Sequence, residues 1–289
     1  MLDVRTCKFS ITLIIPLRYS QYRMSNSSHW HKNIGALVVW FVGEMALSVF
    51  LVSFASPQTL QQAVPTPTYT VQRTRGVIVV DGILNEESWL KAVSIGNFVL
   101  TDSLGKPQST TSAKVLWDSL NLYIAFECAD TDIIGRMAHR DDKLWEEEVI
   151  EVFFAPYMPE KLGYTEIEIS PANTVLDLYV REVRGFMPVA LPYNAYTLNI
   201  RSATQLHGTI NNSTDRDTSW TVEMALPLAD IQPVNLPPIA DGDKWRMNFY
   251  RIDRFPTKEL SAWSPTMVNR FHVPSRFGEV IFSTKRVGE

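Results

Sequence analysis

Cysteine is nearly absent from this chain of 289 residues: the only two are Cys7 and Cys128. They lie on opposite sides of a processing-site pattern, so no disulfide framework joins them, and Cys128 reads as a buried free thiol within a strand. Basic runs are also missing. With 27 basic against 31 acidic residues and a net charge of -4, the chain lacks the electrostatic footprint of a nucleic-acid binder. It carries no nucleophile elbow, phosphate loop or zinc motif, and His272 has no companion at metal-ligand spacing. What is present is an ordinary globular composition, 45% hydrophobic and 20% charged, long enough for one sizeable core.

The amino-terminal part reads as export machinery. Ile34 to Ala55 is apolar apart from Glu44 and follows His29, His31 and Lys32. A carboxylate in mid-membrane is costly, whereas Met45 to Phe54 suits the apolar core of a signal peptide, with Ser53-Phe54-Ala55 as a small-x-small cleavage site. The whole run is nonetheless long enough to span a bilayer, so a cleaved signal and a retained anchor both stand. Met24 is an alternative start. Residues 1–55 are therefore expected to be a leader, and either reading places the rest outside the cytoplasm. Residues 56–75, rich in Gln, Thr and Pro, are expected to be a linker, with the folded domain over 76–285.

Within that domain, Asp81-Gly82 reads as a turn and Asn85 as the cap of a short helix burying Trp89. Helix signals then fade. Ala113–Trp117 and Leu122–Ala129 form a hairpin around Asp118-Ser119-Leu120-Asn121, and short strand patterns continue to Glu279–Phe282. The expected fold is all-β: a two-sheet antiparallel sandwich of jelly-roll or immunoglobulin type, with short helices only.

Alternation within three consecutive strand patterns assigns faces. Ile167 and Ile169 share one face and Glu166 and Glu168 the other; Ile150, Val152 and Phe154 oppose Glu147 and Glu151. In the next strand Leu176, Leu178 and Val180 oppose Asp177, Tyr179 and Arg181. If the strands are neighbours, Glu151, Glu168, Asp177, Tyr179 and Arg181 form one polar face, which Arg246, Asn248 and Tyr250, of the same parity pattern, extend. That face is either solvated or ligand-facing. Near it in sequence stand Trp145, Trp263, Phe271 and Asn269. Aromatic rings cover the C–H faces of a pyranose and carboxylates accept from its hydroxyls, so this combination suits a sugar.

Four ordered motifs carry a family resemblance: Val80-Asp81-Gly82 through Trp89; Val115-Leu116-Trp117-Asp118 with Leu122-Tyr123; Trp145-Glu146 with Val149 to Phe153; and Trp263-Ser264-Pro265 through Phe277-Gly278. Together they resemble the family 9 carbohydrate-binding modules, and the resemblance covers about Val77 to Phe282. The resemblance implies a β-sandwich that binds the ends of glucan and xylan chains without catalysing their cleavage. It implies that Trp145 and Phe271 clamp the sugar while Glu151 bonds its hydroxyls. Phe271 stands where the family has a second tryptophan, Glu168 where it has an arginine, and Val268, beside Asn269, where it has an asparagine. The fold therefore transfers better than the specificity. Glu168, Asp177, Arg181, Asn269 and Trp263 complete the set of candidate ligand-binding residues.

Trp89, Trp117, Trp220 and Trp245 read as core, and Trp263 either packs under its loop or stacks on a ligand. No cofactor is required. The family implies a structural calcium, for which Asp130-Thr131-Asp132 and Asp141-Asp142 offer hard oxygen ligands, although neither run has the spacing of a calcium loop. The partners expected are an oligo- or polysaccharide and a separately encoded glycoside hydrolase. Two other functions remain: a scaffold whose sugar site has eroded, and a glycoside hydrolase using two of Glu147, Glu151, Glu168 and Asp177.

Overall fold

In a computed structural model, residues 64–156, 163–232, 237–254 and 257–289 are described. The leader, its apolar run and the cleavage pattern lie outside these residues. Thirteen strands are described: β1 (Thr68–Arg73), β2 (Val99–Leu100), β3 (Thr111–Trp117), β4 (Asn121–Ala129), β5 (Val149–Ala155), β6 (Tyr164–Ile169), β7 (Val175–Arg184), β8 (Met187–Ala190), β9 (Arg201–His207), β10 (Ser219–Pro227), β11 (Lys244–Asp253), β12 (Glu259–Ala262) and β13 (Gly278–Arg286). Two short helices accompany them, α1 (Glu87–Lys91) and α2 (Leu228–Ile231), with a few 3₁₀ turns. The all-β expectation holds. No helix among the described residues is long and apolar enough to cross a membrane.

Hydrogen bonding is continuous in the order β8-β7-β6-β5-β11-β13-β1-β3-β4-β10-β9, with β12 joining β11 to β2. The sheet is mixed, not purely antiparallel, because β1 runs parallel to both of its neighbours. β1 also corrects the expected linker. Thr68 to Val71 pair with β13, a register shift follows, and Gln72 and Arg73 pair with β3. The strand thus passes from one layer to the other at an irregularity, as strands do at the corners of folded sheets.

The two halves of the sheet face each other across one core. Phe126 of β4 meets Phe249 of β11 with ring centroids 6.1 Å apart, and Ile150, Val152, Phe154, Ile167 and Ile169 join Val115, Ile124, Trp220, Val222 and Met224 in the same cluster. Trp117 and Trp245 lie there as well, so the reading of these tryptophans as core is correct. Cys128 is a buried free thiol, pushed up to about 12 chiefly by burial. Trp89 fills a smaller cluster outside β3 and β4. Its indole N–H donates to Glu223 Oε1 (2.7 Å), while Glu223 Oε2 accepts from the Asp81 and Gly82 N–H groups and so fixes the Asp-Gly turn. Glu86, not Asn85, occupies the N-cap of α1.

Trp263 belongs to the inter-layer core and packs under its loop. It is 8% exposed, packs edge-on to Phe249 at 5.6 Å and lies under the Gly278 backbone. The approach is so close that a Cβ on Gly278 would stand 2.2 Å from the indole.

One charged group spans the core. Arg251 of β11 is 1% exposed; its Nη2 lies 2.6 Å from Asp130 Oδ2 and 3.4 Å from Asp253 Oδ2, and its Nη1 donates to the Ala129 carbonyl at 2.6 Å. Asp130 Oδ2 also accepts from the Trp220 indole N–H, and Asp130 Oδ1 from the Asp132 N–H. Asp130 is thereby fully engaged and its positive partner is already present. In the second aspartate run, Asp142 Oδ2 accepts from the Ala138 and His139 N–H groups. Asp130, Glu148 and Asp253 each bring a carboxylate oxygen within 4.8 Å of the others, with Arg251 already supplying a positive charge there, and Asp132 Oδ1 and Asp141 Oδ1 are buried without a hydrogen-bond partner.

Two substitutions test this packing. Gly278→Ala should lower unfolding free energy by about 1–3 kcal/mol through overpacking against Trp263. Arg251→Met, which leaves Asp130 buried without its cation, should cost about 3–5 kcal/mol. Urea unfolding measures both, and wild-type stability in either variant would contradict the packing described.

Candidate functional site

A second apolar cluster lies on the outer face of the β5-β6-β7-β11 layer. The register decides its membership: Glu151 pairs with Glu168 and with Tyr250, Phe153 with Glu166, Glu166 with Leu178, and Glu168 with Leu176. These residues share one face, and Leu176, Leu178 and Val180 lie on it beside the glutamates. Asp177 instead pairs with Ile167 and belongs to the opposite face. There Arg140 forms an ion pair with it and the Leu198 N–H donates to Asp177 Oδ2 at 2.6 Å. The five-residue polar face expected from alternation is therefore wrong for β7. Its apolar side faces this outer cluster and not the inter-layer core, which carries Asp177, Tyr179 and Arg181 away from Glu151 and Glu168.

The cluster is covered by the segment from β12 to β13. Asn248 and Tyr250 of β11 anchor it: Asn248 Nδ2 donates to the Ser264 carbonyl (2.8 Å), Asn248 Oδ1 accepts from the Ser264 N–H (3.0 Å), and the Tyr250 hydroxyl donates to the Phe271 carbonyl (3.0 Å). The Phe271 ring stacks on Tyr250 at 4.3 Å. Within the segment, Thr266 Oγ1 donates to the Val268 or Arg270 carbonyl and Arg276 Nε to the Pro265 carbonyl, so it is braced by side chains where no strand holds it. On the other side, buried Leu144 pins a 3₁₀ turn that presents half-buried Trp145, whose carbonyl accepts from Arg254 Nη2 at 2.8 Å.

Between these walls lies a cavity of about 640 Å³. Trp145, Tyr193 and Phe271 supply aromatic surface, Leu178, Ile252 and Leu260 aliphatic surface, and Met187 to Pro192 a flank. Its polar lining is Glu151, Glu166, Glu168, Lys258 and His272. Of the residues singled out in the sequence, Trp145, Glu151, Glu168 and Phe271 line it together. Asn269 is exposed and is not among its lining residues, and neither are Trp263, Asp177 and Arg181. Glu166, Tyr193 and Lys258 were missed. Glu166 was readable from its shared parity with Glu168, whereas Tyr193 and Lys258 arrive on segments without strand periodicity.

The electrostatics are unusual for a cavity so apolar. Glu151, Glu166 and Glu168 each offer an oxygen within 4.8 Å of the others, and all three are buried. Burial, then the neighbouring Glu166 carboxylate, raises Glu151 well above its ordinary range, and burial, then Glu151 and Glu166, does the same to Glu168. Burial pushes Glu166 up to about 7. His272, stacked on Phe153 and hydrogen-bonded through Nδ1 to the Tyr164 hydroxyl at 2.7 Å, is lowered to about 4 by burial, so it is neutral at pH 7.

Residues 80–285 match the family described as "Carbohydrate family 9 binding domain-like". The chain belongs to that family. An extracellular protein of Arthroderma benhamiae is 28% identical over 198 residues, covering 64% of this chain and 84% of that protein. Among solved structures, a protein of Bacteroides uniformis superposes with a TM-score of 0.60 at 17% identity, over 76% of this chain and 100% of that one. A family 9 carbohydrate-binding module from Caldicellulosiruptor kristjanssonii, solved with cellotriose, gives a TM-score of 0.52 at 15% identity, over 75% of this chain and 94% of the module. These likenesses establish the β-sandwich fold of the family.

Because folded Glu166 holds its proton to higher pH than the unfolded chain does, its contribution to stability is complete below the unfolded carboxyl range and is lost as pH rises towards 7. Glu166→Gln should therefore show a shallower fall in Tm than wild type between about pH 5 and about pH 8. Calorimetry across that range measures it, and identical slopes would contradict the assignment.

Proposed function

We propose that the protein is an exported carbohydrate-binding protein that captures an oligo- or polysaccharide at the cavity of the outer sheet face and does not cleave it. The observation that carries this reading is the convergence of Trp145, Phe271, Glu151 and Glu168 on one cavity. Rings offer flat apolar surface to pyranose C–H faces, and carboxyl groups accept from hydroxyls and, when protonated, also donate to them. The size of the cavity suits one or two sugar units, and its pre-formed walls limit the ordering that binding requires. Export is supported by the apolar run near the amino terminus and by the extracellular relative. The modules of Caldicellulosiruptor kristjanssonii bind cellotriose and glucose, which makes a glucan the first ligand to try.

Binding without turnover is favoured by the state of the carboxyls. A glycosidase needs one protonated acid and one ionised carboxylate. Here all three glutamates of the cavity are pushed in the same direction, Asp177 lies on the other face, and Glu147 is engaged with the Arg136 and Met137 N–H groups. No structural metal is included in the proposal, and a separately encoded glycoside hydrolase is the partner it suggests.

Isothermal titration of the full chain with cello-, xylo- and chito-oligosaccharides, with product analysis alongside, tests the reading. Trp145→Ala should weaken binding by about tenfold or more, the loss of about 1.5–3 kcal/mol of aromatic contact, with a thermal melt alongside to separate this from the packing that the half-buried ring supplies to the cluster beneath it. Binding to no glycan by a folded protein would establish the eroded scaffold instead, and sugar release abolished by Glu151→Gln would establish an enzyme.

A further inference from the structure

The floor of the cavity has more acceptor capacity than a neutral sugar needs. Glu166 Oε2 and Glu168 Oε2 are buried, line the cavity and have no hydrogen-bond partner. Three carboxyl groups meet there within 4.8 Å. The titratable groups facing them are Lys258, whose charge acts on Glu151 from an exposed position; His272, with Nδ1 3.9 Å from Glu166 Oε2; and the hydroxyls of Tyr164, Tyr193 and Tyr250. None of these puts a positive charge among the three oxygens. Buried like charges without a cation are costly, so the empty site holds protons in place of a counter-ion.

We propose that this floor is an ammonium subsite, and that the ligand is an amine-bearing sugar whose ring lies against Trp145 and Phe271 while its protonated amine is held by Glu151, Glu166 and Glu168. The inference rests on the sugar-binding reading and names the class of sugar. An ammonium group carries three donors and no acceptor, which matches three convergent carboxyl oxygens; a hydroxyl brings one donor. Charge-assisted hydrogen bonds are about twice as strong as neutral ones, and the aromatic lining adds cation–π attraction. Calcium is a poorer occupant, since it takes six to eight oxygens and the lining beyond the three glutamates is mostly apolar, with Leu178, Ile252 and Leu260. Because the carboxyls must ionise to receive the amine, binding releases protons, and affinity rises with pH until the amine itself loses its charge.

The experiment is titration of the full chain with chitosan, chitin and cello-oligomers of equal length, in two buffers of different ionisation heat, at several pH values. The expected result is a preference for the chitosan oligomer of about tenfold or more, with buffer-dependent heat showing proton release for that ligand alone. Glu166→Gln and Glu168→Gln should weaken binding of the chitosan oligomer more than that of the cello-oligomer, and urea unfolding of each variant distinguishes misfolding from loss of the subsite. Equal or tighter binding of the cello-oligomer by wild type overturns the inference and leaves the sugar site standing. Failure of all three oligomers to bind overturns the inference, and failure of the xylo-oligosaccharides as well overturns the sugar-binding reading with it. Calcium binding that Glu168→Gln abolishes, without preference for the amine, would make the floor a metal site and also overturn the inference.

Discussion

Arg251 holds the two layers of the protein in register. It projects inward from β11 and meets Asp130 at the end of β4, the Ala129 carbonyl and the Trp220 ring, all on the opposing half of the sheet. An ion pair so deeply buried is expensive to form, but its geometry is directional where apolar packing is not. Tyr250, the preceding residue, points the opposite way and carries Phe271. The strand that locks the sandwich on one face therefore also builds the cavity wall on the other, and the period of two in a β-strand is what couples them.

The cavity exists because the outer face of this layer is not left to solvent. Phe153, Tyr164, Leu176, Leu178 and Tyr250 make a second apolar cluster, and the segment through Phe271 and Phe277 closes over it. Glutamates embedded in such a cluster lose most of their hydration. That burial raises the pKa of all three, and the neighbouring carboxylates raise Glu151 and Glu168 further.

Much of this was legible in the sequence. The strand series, the Asp-Gly turn beside Trp89, and the ordered motifs from Val80 to Gly278 gave the all-β architecture and the family. Trp145, Glu151, Glu168 and Phe271 were found and do converge. Asp177 and Arg181 were misplaced for a definite reason: alternation divides a strand into two faces but does not say which face is inner when both are apolar. In β7 the leucines line the outer cluster, and Asp177 is met by Arg140 and the Leu198 N–H, partners remote in sequence. Trp263 could not be placed by pattern at all, since only the bare backbone of Gly278 makes room for it. The strand at Thr68–Arg73 was hidden because its pairing depends on the far end of the chain.

One wall of the cavity is made by β8, the outermost strand of its layer, joined to β7 by a hairpin whose tip exposes Phe186 and Met187, each 70% accessible. Pro188 removes a donor from this edge, which discourages a further strand from pairing there. At the hairpin's tip the Phe186 ring lies beneath the Arg270 guanidinium at 4.4 Å. Insertions or replacements at so exposed a tip would remodel the mouth of the cavity without disturbing Arg251 or the inter-layer core. Descendants of such a scaffold can change their ligand while inheriting the same fold stability, which separates the selection acting on recognition from the selection acting on folding.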